Sequence, residues 1–171
     1  MTRPILWALG TLASAALAST TAGDRLAARF GLASPGAGVA LTKTDGSAST
    51  LTVSADLQGH FVVHPSLDGR RLRMLVDTGA SVVALSYGDA RLAGIQVAPR
   101  DFTRKISTAN GIVEVAPVRI KEMRVGEIAV RDVDAMVLPD GRLETSLLGM
   151  SFLRRIGGFD ISQGRLTLRG T

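Results

Sequence analysis

The chain has 171 residues, 46% hydrophobic and 20% charged, which suits one folded domain with a tail and is too short for two full lobes. Its formal net charge is +5, yet the seventeen arginines are scattered and there is only one Trp and one Tyr, so a nucleic-acid surface built on base stacking is disfavoured. Cysteine is absent, which excludes a disulfide framework, a thiolate nucleophile and a thiolate zinc site.

Residues 1–23 read as a signal peptide or signal anchor. Arg3 precedes an uncharged run from Pro4 to Gly23, and Asp24 and Arg25 end it. The strongly apolar part, Ile5 to Ala18, falls short of the ~20 residues a membrane span needs, and the Ser/Thr-rich end makes up the difference. Ala16-Leu17-Ala18 supplies small residues suited to a cleavage site, so cleavage and retention both stay open. With Arg3 as the leading charge, the expected location is the cytoplasmic membrane, single-pass, with the rest of the chain on the periplasmic side, or release to that side after cleavage. Residues 24–50 are rich in Gly, Ser, Thr and Ala without a sustained period, and read as a flexible linker.

Residues 51–171 carry short apolar runs punctuated by turn residues, the pattern of an all-β domain. The runs 60–65 and 70–76 flank Asp68-Gly69; "FTRKIST" and "IVEVAPVRI" flank Ala109-Asn110-Gly111. Asn-Gly is a strong hairpin signal because both central positions of the turn need positive φ. "KEMRV" and "IAVRDVDAMVL" flank Gly126-Glu127, and "GGFDI" and "RLTLR" flank Ser162-Gln163-Gly164. Helices are expected only around 88–92 and 151–156, the second with Arg154-Arg155 suiting its C-terminal dipole.

One acid interrupts this apolar pattern. Met74-Leu75-Val76 runs into Asp77-Thr78-Gly79, then Val82-Val83-Ala84-Leu85 is apolar again. A carboxylate between two core strands is costly unless it is paired, hydrogen-bonded or protonated. Some seventy residues later a second apolar run ends in Leu147-Leu148-Gly149 and enters the expected helix.

This order of parts resembles the retropepsin-like aspartic proteases, the single-lobed type found in retroviruses and in a bacterial membrane-anchored family, from about Gly59 to Leu168. The resemblance implies a small closed all-β barrel with a flap hairpin and one short C-terminal helix, working as a homodimer. It implies that Asp77 is catalytic, that Thr78 hydrogen-bonds to its counterpart in the second subunit, and that Gly79 lets the tight loop present the acid. Ala80 and Ser81 would line the floor beside it, and Ala109, Asn110, Gly111 and Ile112 would form the flap tip over a peptide or protein substrate. Leu147, Leu148 and Gly149 would thread beside the catalytic loop. No cofactor or metal is implied.

The chemistry points the same way. Peptide hydrolysis without metal or nucleophile needs one carboxylate to activate water and one carboxylic acid to protonate the carbonyl oxygen. Two acids a few Å apart share a proton and titrate as a pair. One Asp-Thr-Gly per chain is therefore half a site, and an isologous homodimer completes it.

Other schemes lack parts. Ser81 has no nucleophile-elbow setting, and His60 and His64 have no nearby acid to complete a metal site, so surface positions are expected for both. Two further readings remain: a dimeric peptide-binding or scaffolding module of the same fold without turnover, and a structural protein of the membrane surface that uses its basic charge.

Overall fold

The computed structural model describes residues 39–42, 49–108 and 111–171. The expected signal segment 1–23, most of the expected linker and the hairpin tip Ala109–Asn110 lie outside the described residues.

Among the described residues, thirteen strands and two short helices follow one another. The first seven strands are β1 (Val39–Thr42), β2 (Thr50–Ser54), β3 (Val62–Val63), β4 (Ser66–Leu67), β5 (Arg70–Arg71), β6 (Met74–Val76) and β7 (Val83–Leu85). Helix α1 (Tyr87–Leu92) and a 3-10 turn at Pro99–Asp101 come next. Strands β8 (Arg104–Thr108), β9 (Gly111–Val125), β10 (Ile128–Val137) and β11 (Ser146–Leu148) precede helix α2 (Met150–Leu153), and β12 (Gly158–Ser162) and β13 (Arg165–Arg169) close the chain.

The architecture is all-β, as expected. Nine strands form a curled half-barrel in the order β3-β6-β11-β7-β10-β9-β4-β5, with β8 also paired to β9. A second sheet has the order β1-β2-β13-β12. The stretch expected to be linker therefore contains a strand: β1 pairs β2 from Val39↔Val53 to Thr42↔Thr50. No sequence period marked it because a four-residue strand is too short to show one.

Local turn chemistry explains two hairpins directly. Asp68 and Gly69, both at positive φ (47° and 87°), connect β4 to β5, and Gln163 and Gly164 (49° and 69°) connect β12 to β13. Two successive positive φ angles match the right-handed twist of the strands they join. The Asp68 turn is also anchored to β9, its N–H donating to the Glu122 carbonyl while the Glu122 N–H donates to its carboxylate.

The runs "IVEVAPVRI" and "KEMRV" are one strand, β9, fifteen residues long. Pro117 does not break it. On one side β9 pairs β8 only as far as Val115 and β4 only from Met123, so the proline stands in the gap between them and its missing N–H interrupts no ladder there. Further along, β9 and β10 switch faces together. Val130 and Val133 are both buried, as are Ile120 and Met123, and between them Asp132 adopts φ 50°. One long ribbon thereby serves core on both sides of the bend.

The main core joins Leu51 and Val53 of β2, Leu166 and Leu168 of β13, and Phe152 and Leu153 of α2 to the inner faces of β6, β7, β9 and β10. Helix α1 begins at Ser86, whose side chain accepts the Asp89 N–H as an N-cap. The second helix is shorter than expected, ending at Leu153 with Arg154 as its C-cap. Arg155 lies beyond it and donates to the Asp132 carbonyl at the bend of β10 (2.8 Å), so it binds a neighbouring strand rather than the helix end.

Candidate active site

The sequence places an acid at the end of an apolar strand; the structure supplies the clamp around it. Strand β11 lies between β6 and β7, parallel to β6 through Leu147↔Leu75 and Leu148↔Val76, and antiparallel to β7 at Leu147↔Ala84. The chain thus leaves β6, forms the Asp77 loop and returns as β7 on the far side of a strand seventy residues away in sequence. The Asp77 N–H continues the ladder by donating to the Leu148 carbonyl (3.0 Å).

Within the loop, the Gly79 N–H donates to Asp77 Oδ1 (2.8 Å) and the Ala80 N–H reaches the Asp77 carbonyl (3.3 Å). This fixes one carboxylate oxygen and leaves the group half-buried, with Thr78 and Gly79 exposed beside it. Gly79 is not at positive φ; its value lies in space, since a β-carbon there would stand 3.1 Å from Asp77 Oδ1. No described cation lies within ion-pairing distance of Asp77.

Gly149 performs the closest packing of the site. A β-carbon on it would stand 2.2 Å from the Val82 carbonyl oxygen and 2.7 Å from that of Ala80. The next residue, Met150, donates its N–H to the Ala80 carbonyl (2.8 Å). Hydrogen bonds thus join Asp77, Gly79, Ala80, Leu148 and Met150, with Leu147 paired to the flanking strands and Gly149 packed against the loop. Leu148 is fully buried, whereas Leu147 is half-buried and Ser81 is exposed.

The β8–β9 hairpin belongs to the same side of the sheet. Buried Ala84, Val113, Val115 and Leu138 form an apolar cluster together with half-buried Ile106 and Leu147, joining the hairpin's inner face to the strands beneath Asp77. Its register pairs Thr108 with Gly111, so the connecting residues are Ala109 and Asn110 rather than Asn110 and Gly111. The expected tip residues Ala109 and Asn110 lie outside the described residues; Gly111, at φ 101°, and exposed Ile112 follow them.

Two hydroxyls escaped the sequence reading. Ser151 Oγ accepts the Val83 N–H (2.9 Å) and donates to the Asp134 carbonyl (2.6 Å), tying α2 to β7 and β10. Ser146 Oγ, fully buried, accepts the Ser86 N–H (3.0 Å) and donates to the Asp89 carboxylate. A serine directly before Leu147, and another two residues after Gly149, were the available signals. They register only once their distant partners are known.

His60 and His64 flank β3 and are both exposed; His60 Nδ1 lies 3.7 Å from the Asp56 carboxylate. Among the described residues no group of three or more His, Cys, Asp or Glu side chains is arranged to hold a metal.

Residues 63–155 match the family described as "gag-polyprotein putative aspartyl protease". An uncharacterized protein encoded in a cobV 5' region of Sinorhizobium sp. is 40% identical over 135 residues, 79% of this chain and 58% of the relative. An uncharacterized protein of Rickettsia prowazekii is 36% identical over 110 residues, 64% of this chain and 47% of the relative. The chain thus spans about half the length of these curated relatives. Among solved structures, a retropepsin-like aspartic protease from Rickettsia conorii superposes with a TM-score of 0.65 at 28% identity, covering 79% of this chain and 96% of that one. The EIAV protease, solved with an inhibitor, has the same fold at a TM-score of 0.50 and 17% identity, covering 64% of this chain and all of that one.

Proposed function

The chain belongs to the retropepsin-like, gag-polyprotein type of aspartyl protease, and from that premise we propose that it is an endopeptidase whose active site forms between two copies of itself. The observation that carries this reading is the clamped acid loop. Asp77 is held by the Leu148 carbonyl and the Gly79 N–H, over a Gly149 that has no room for a side chain. That construction fixes a half-exposed carboxylate at a strand end, where a merely structural turn acid would need no inserted strand.

In the proposed reaction, Asp77 of one copy is ionised and Asp77 of the other is protonated. The ionised group takes a proton from water as the water oxygen attacks the peptide carbonyl carbon, and the protonated group gives its proton to the carbonyl oxygen. The resulting diol collapses as the first Asp77 passes the proton it took from water to the amide nitrogen, the second takes a proton back from a diol hydroxyl, and the C–N bond breaks to release the amine. Thr78 bonds across to its counterpart, and Ala80 and Ser81 form the floor. The substrate lies extended as an added strand beneath the hairpin tip formed by Ala109, Asn110, Gly111 and Ile112. Apolar side chains of the substrate would meet half-buried Ile106 and Leu147.

We also propose attachment to, or passage through, the cytoplasmic membrane by residues 1–23, with the folded domain on the periplasmic side. The support is the charge and hydropathy of that segment. Among the described residues no helix is long and apolar enough to cross a membrane.

The test incubates the full chain with a denatured protein from acidic to neutral pH, wild type beside Asp77→Asn, each with and without pepstatin. Cleavage by wild type alone, abolished by pepstatin and rising faster than linearly with enzyme concentration, is the expected result. Equal cleavage by both chains would sink the assignment of Asp77. A dimer that binds peptide but never cleaves it would favour the non-catalytic binding module.

A further inference from the structure

A carboxylate and a hydroxyl meet at the start of α1 in a pattern that the helix alone does not require. Ser86 and Asp89 have the spacing of a capping box, in which the N-cap side chain accepts an N–H three residues on and the side chain there accepts the N-cap N–H. The first half is present, since Ser86 Oγ accepts the Asp89 N–H (3.1 Å). The second half is relayed. The Ser86 N–H donates to Ser146 Oγ (3.0 Å), and the Ser146 hydroxyl donates to Asp89 Oδ2. A hydroxyl from β11, sixty residues further along the chain, thus stands where a longer acid would close the box by itself.

What the relay adds is a link between two distant elements. Ser146 is fully buried, and its hydroxyl is tolerated there because it both donates and accepts. In the same short strand, Ser146 pairs Met74 and Leu148 pairs Val76, and the Leu148 carbonyl receives the Asp77 N–H. On the other side of the relay, α1 follows β7 and leads through the 3-10 turn into β8, the first strand of the hairpin. One hydroxyl therefore fastens the strand that holds the acid loop to the root of the segment that becomes the hairpin.

Resting on the reading proposed above, we infer that Ser146 and Asp89 are positioning residues for peptide hydrolysis: the relay fixes β11 against α1, and β11 in turn fixes the Asp77 loop. Neither side chain has to touch the substrate. Reaction rates fall steeply when a reacting group is displaced even slightly, so a tie one strand away from the acid bears on the rate while leaving substrate contacts in place. Ser146→Ala takes the partner from the Ser86 N–H and from the Asp89 carboxylate at once. Asp89→Asn keeps an oxygen that accepts from the Ser146 hydroxyl, whereas Asp89→Ala keeps none.

The experiment compares the full chain in a non-ionic detergent as wild type, Ser146→Ala, Asp89→Ala, Asp89→Asn and Val130→Ala. Val130 is buried on the part of β10 beyond the Asp132 bend, paired with Met123 and not with β7, and its truncation controls for lost stability alone. Peptide cleavage is measured where activity per chain no longer rises with enzyme concentration, and amide exchange is followed at Ser86 and Asp77. Ser146→Ala and Asp89→Ala are expected to lower kcat at least about tenfold with KM changed less than about twofold, the mark of lost orientation rather than lost binding. Asp89→Asn should retain most of the wild-type kcat, and Val130→Ala should match wild type per folded molecule. Exchange at Ser86 and Asp77 should be faster in Ser146→Ala than in Val130→Ala. A Ser146→Ala chain whose kcat and Asp77 exchange match those of Val130→Ala overturns the inference, as does an Asp89→Asn chain as impaired as Asp89→Ala. A wild type that cleaves nothing removes the protease reading instead. Exchange then decides alone whether the relay holds the Asp77 loop: faster Asp77 exchange in Ser146→Ala upholds that link, and unchanged exchange removes it.

Discussion

Gly149 lies so close to Val82 that a β-carbon on it would stand 2.2 Å from the Val82 carbonyl oxygen. Backbone meets backbone here, so no side-chain rotation can relieve the contact. Gly149→Ala is therefore expected to cost about 2–3 kcal/mol or more, as overpacking of a tight site does, and to displace the Asp77 loop. Urea denaturation reads the first effect. A variant with the wild-type midpoint would mean that the strand insertion is looser than the geometry requires.

Ser151 joins α2 to β7 and β10 through a single hydroxyl. Ser151→Ala leaves the Val83 N–H and the Asp134 carbonyl without that partner, at an expected cost of about 1–3 kcal/mol. Faster hydrogen exchange at the Val83 amide should accompany the loss. Unchanged exchange at Val83 together with an unchanged melting temperature would contradict the proposed tie.

Asp132 sits at φ 50° where β9 and β10 change faces. Left-handed backbone costs an ordinary residue roughly 1–2 kcal/mol, and a glycine little. Asp132→Gly should be tolerated, while Asp132→Val should destabilise by at least that amount because a β-branched residue fits this region poorly. Thermal melting of the pair decides the point. Equal stability of both would show that the bend is not held by that dihedral.

Asp56 is held below the ordinary carboxylate pKa, chiefly by the N–H of His60, with the N–H of Gln58 adding to it and partial burial opposing. A lowered folded-state pKa means that the loop's stabilisation is present above the ordinary carboxylate range and is lost as pH falls through the lowered value. Carbon-13 titration of the Asp56 carboxyl should give a midpoint below that of a free aspartate, and amide exchange at Gln58 and His60, corrected for intrinsic rates, should rise as it protonates. A midpoint at or above the free value would remove the electrostatic account of this loop.

Phe152 is fully buried on α2, the short helix that follows Gly149. Phe152→Ala is expected to cost about 3–5 kcal/mol through lost burial and the cavity left behind. A loss below about 1 kcal/mol in urea denaturation would mean that the neighbouring strands collapse into the space more freely than a close-packed interior does.

What could be read from the sequence was local. Asp68-Gly69 and Gln163-Gly164 announced their turns because positive φ is a property of those few residues alone, and alternation in "RLTLR" announced a strand with one buried face. Helix α1 was legible within a residue, expected around 88–92 and found at Tyr87–Leu92. Asp77-Thr78-Gly79 and Leu147-Leu148-Gly149 could be picked out as parts of one site because each is a short word in a recognisable order.

Tertiary structure decided everything that depends on register between distant segments. The insertion of β11 between β6 and β7, the merging of two runs into β9 around Pro117, and the strand at Val39–Thr42 all follow from which edges were left unpaired. So do the bonds of Ser146 and Ser151, whose partners lie far away in the chain. The same separation governs Gly149, whose need for glycine is set by carbonyl oxygens of Ala80 and Val82. A residue's own neighbours determine its φ and the face it offers; only the folded chain determines which distant backbone will lie against that face.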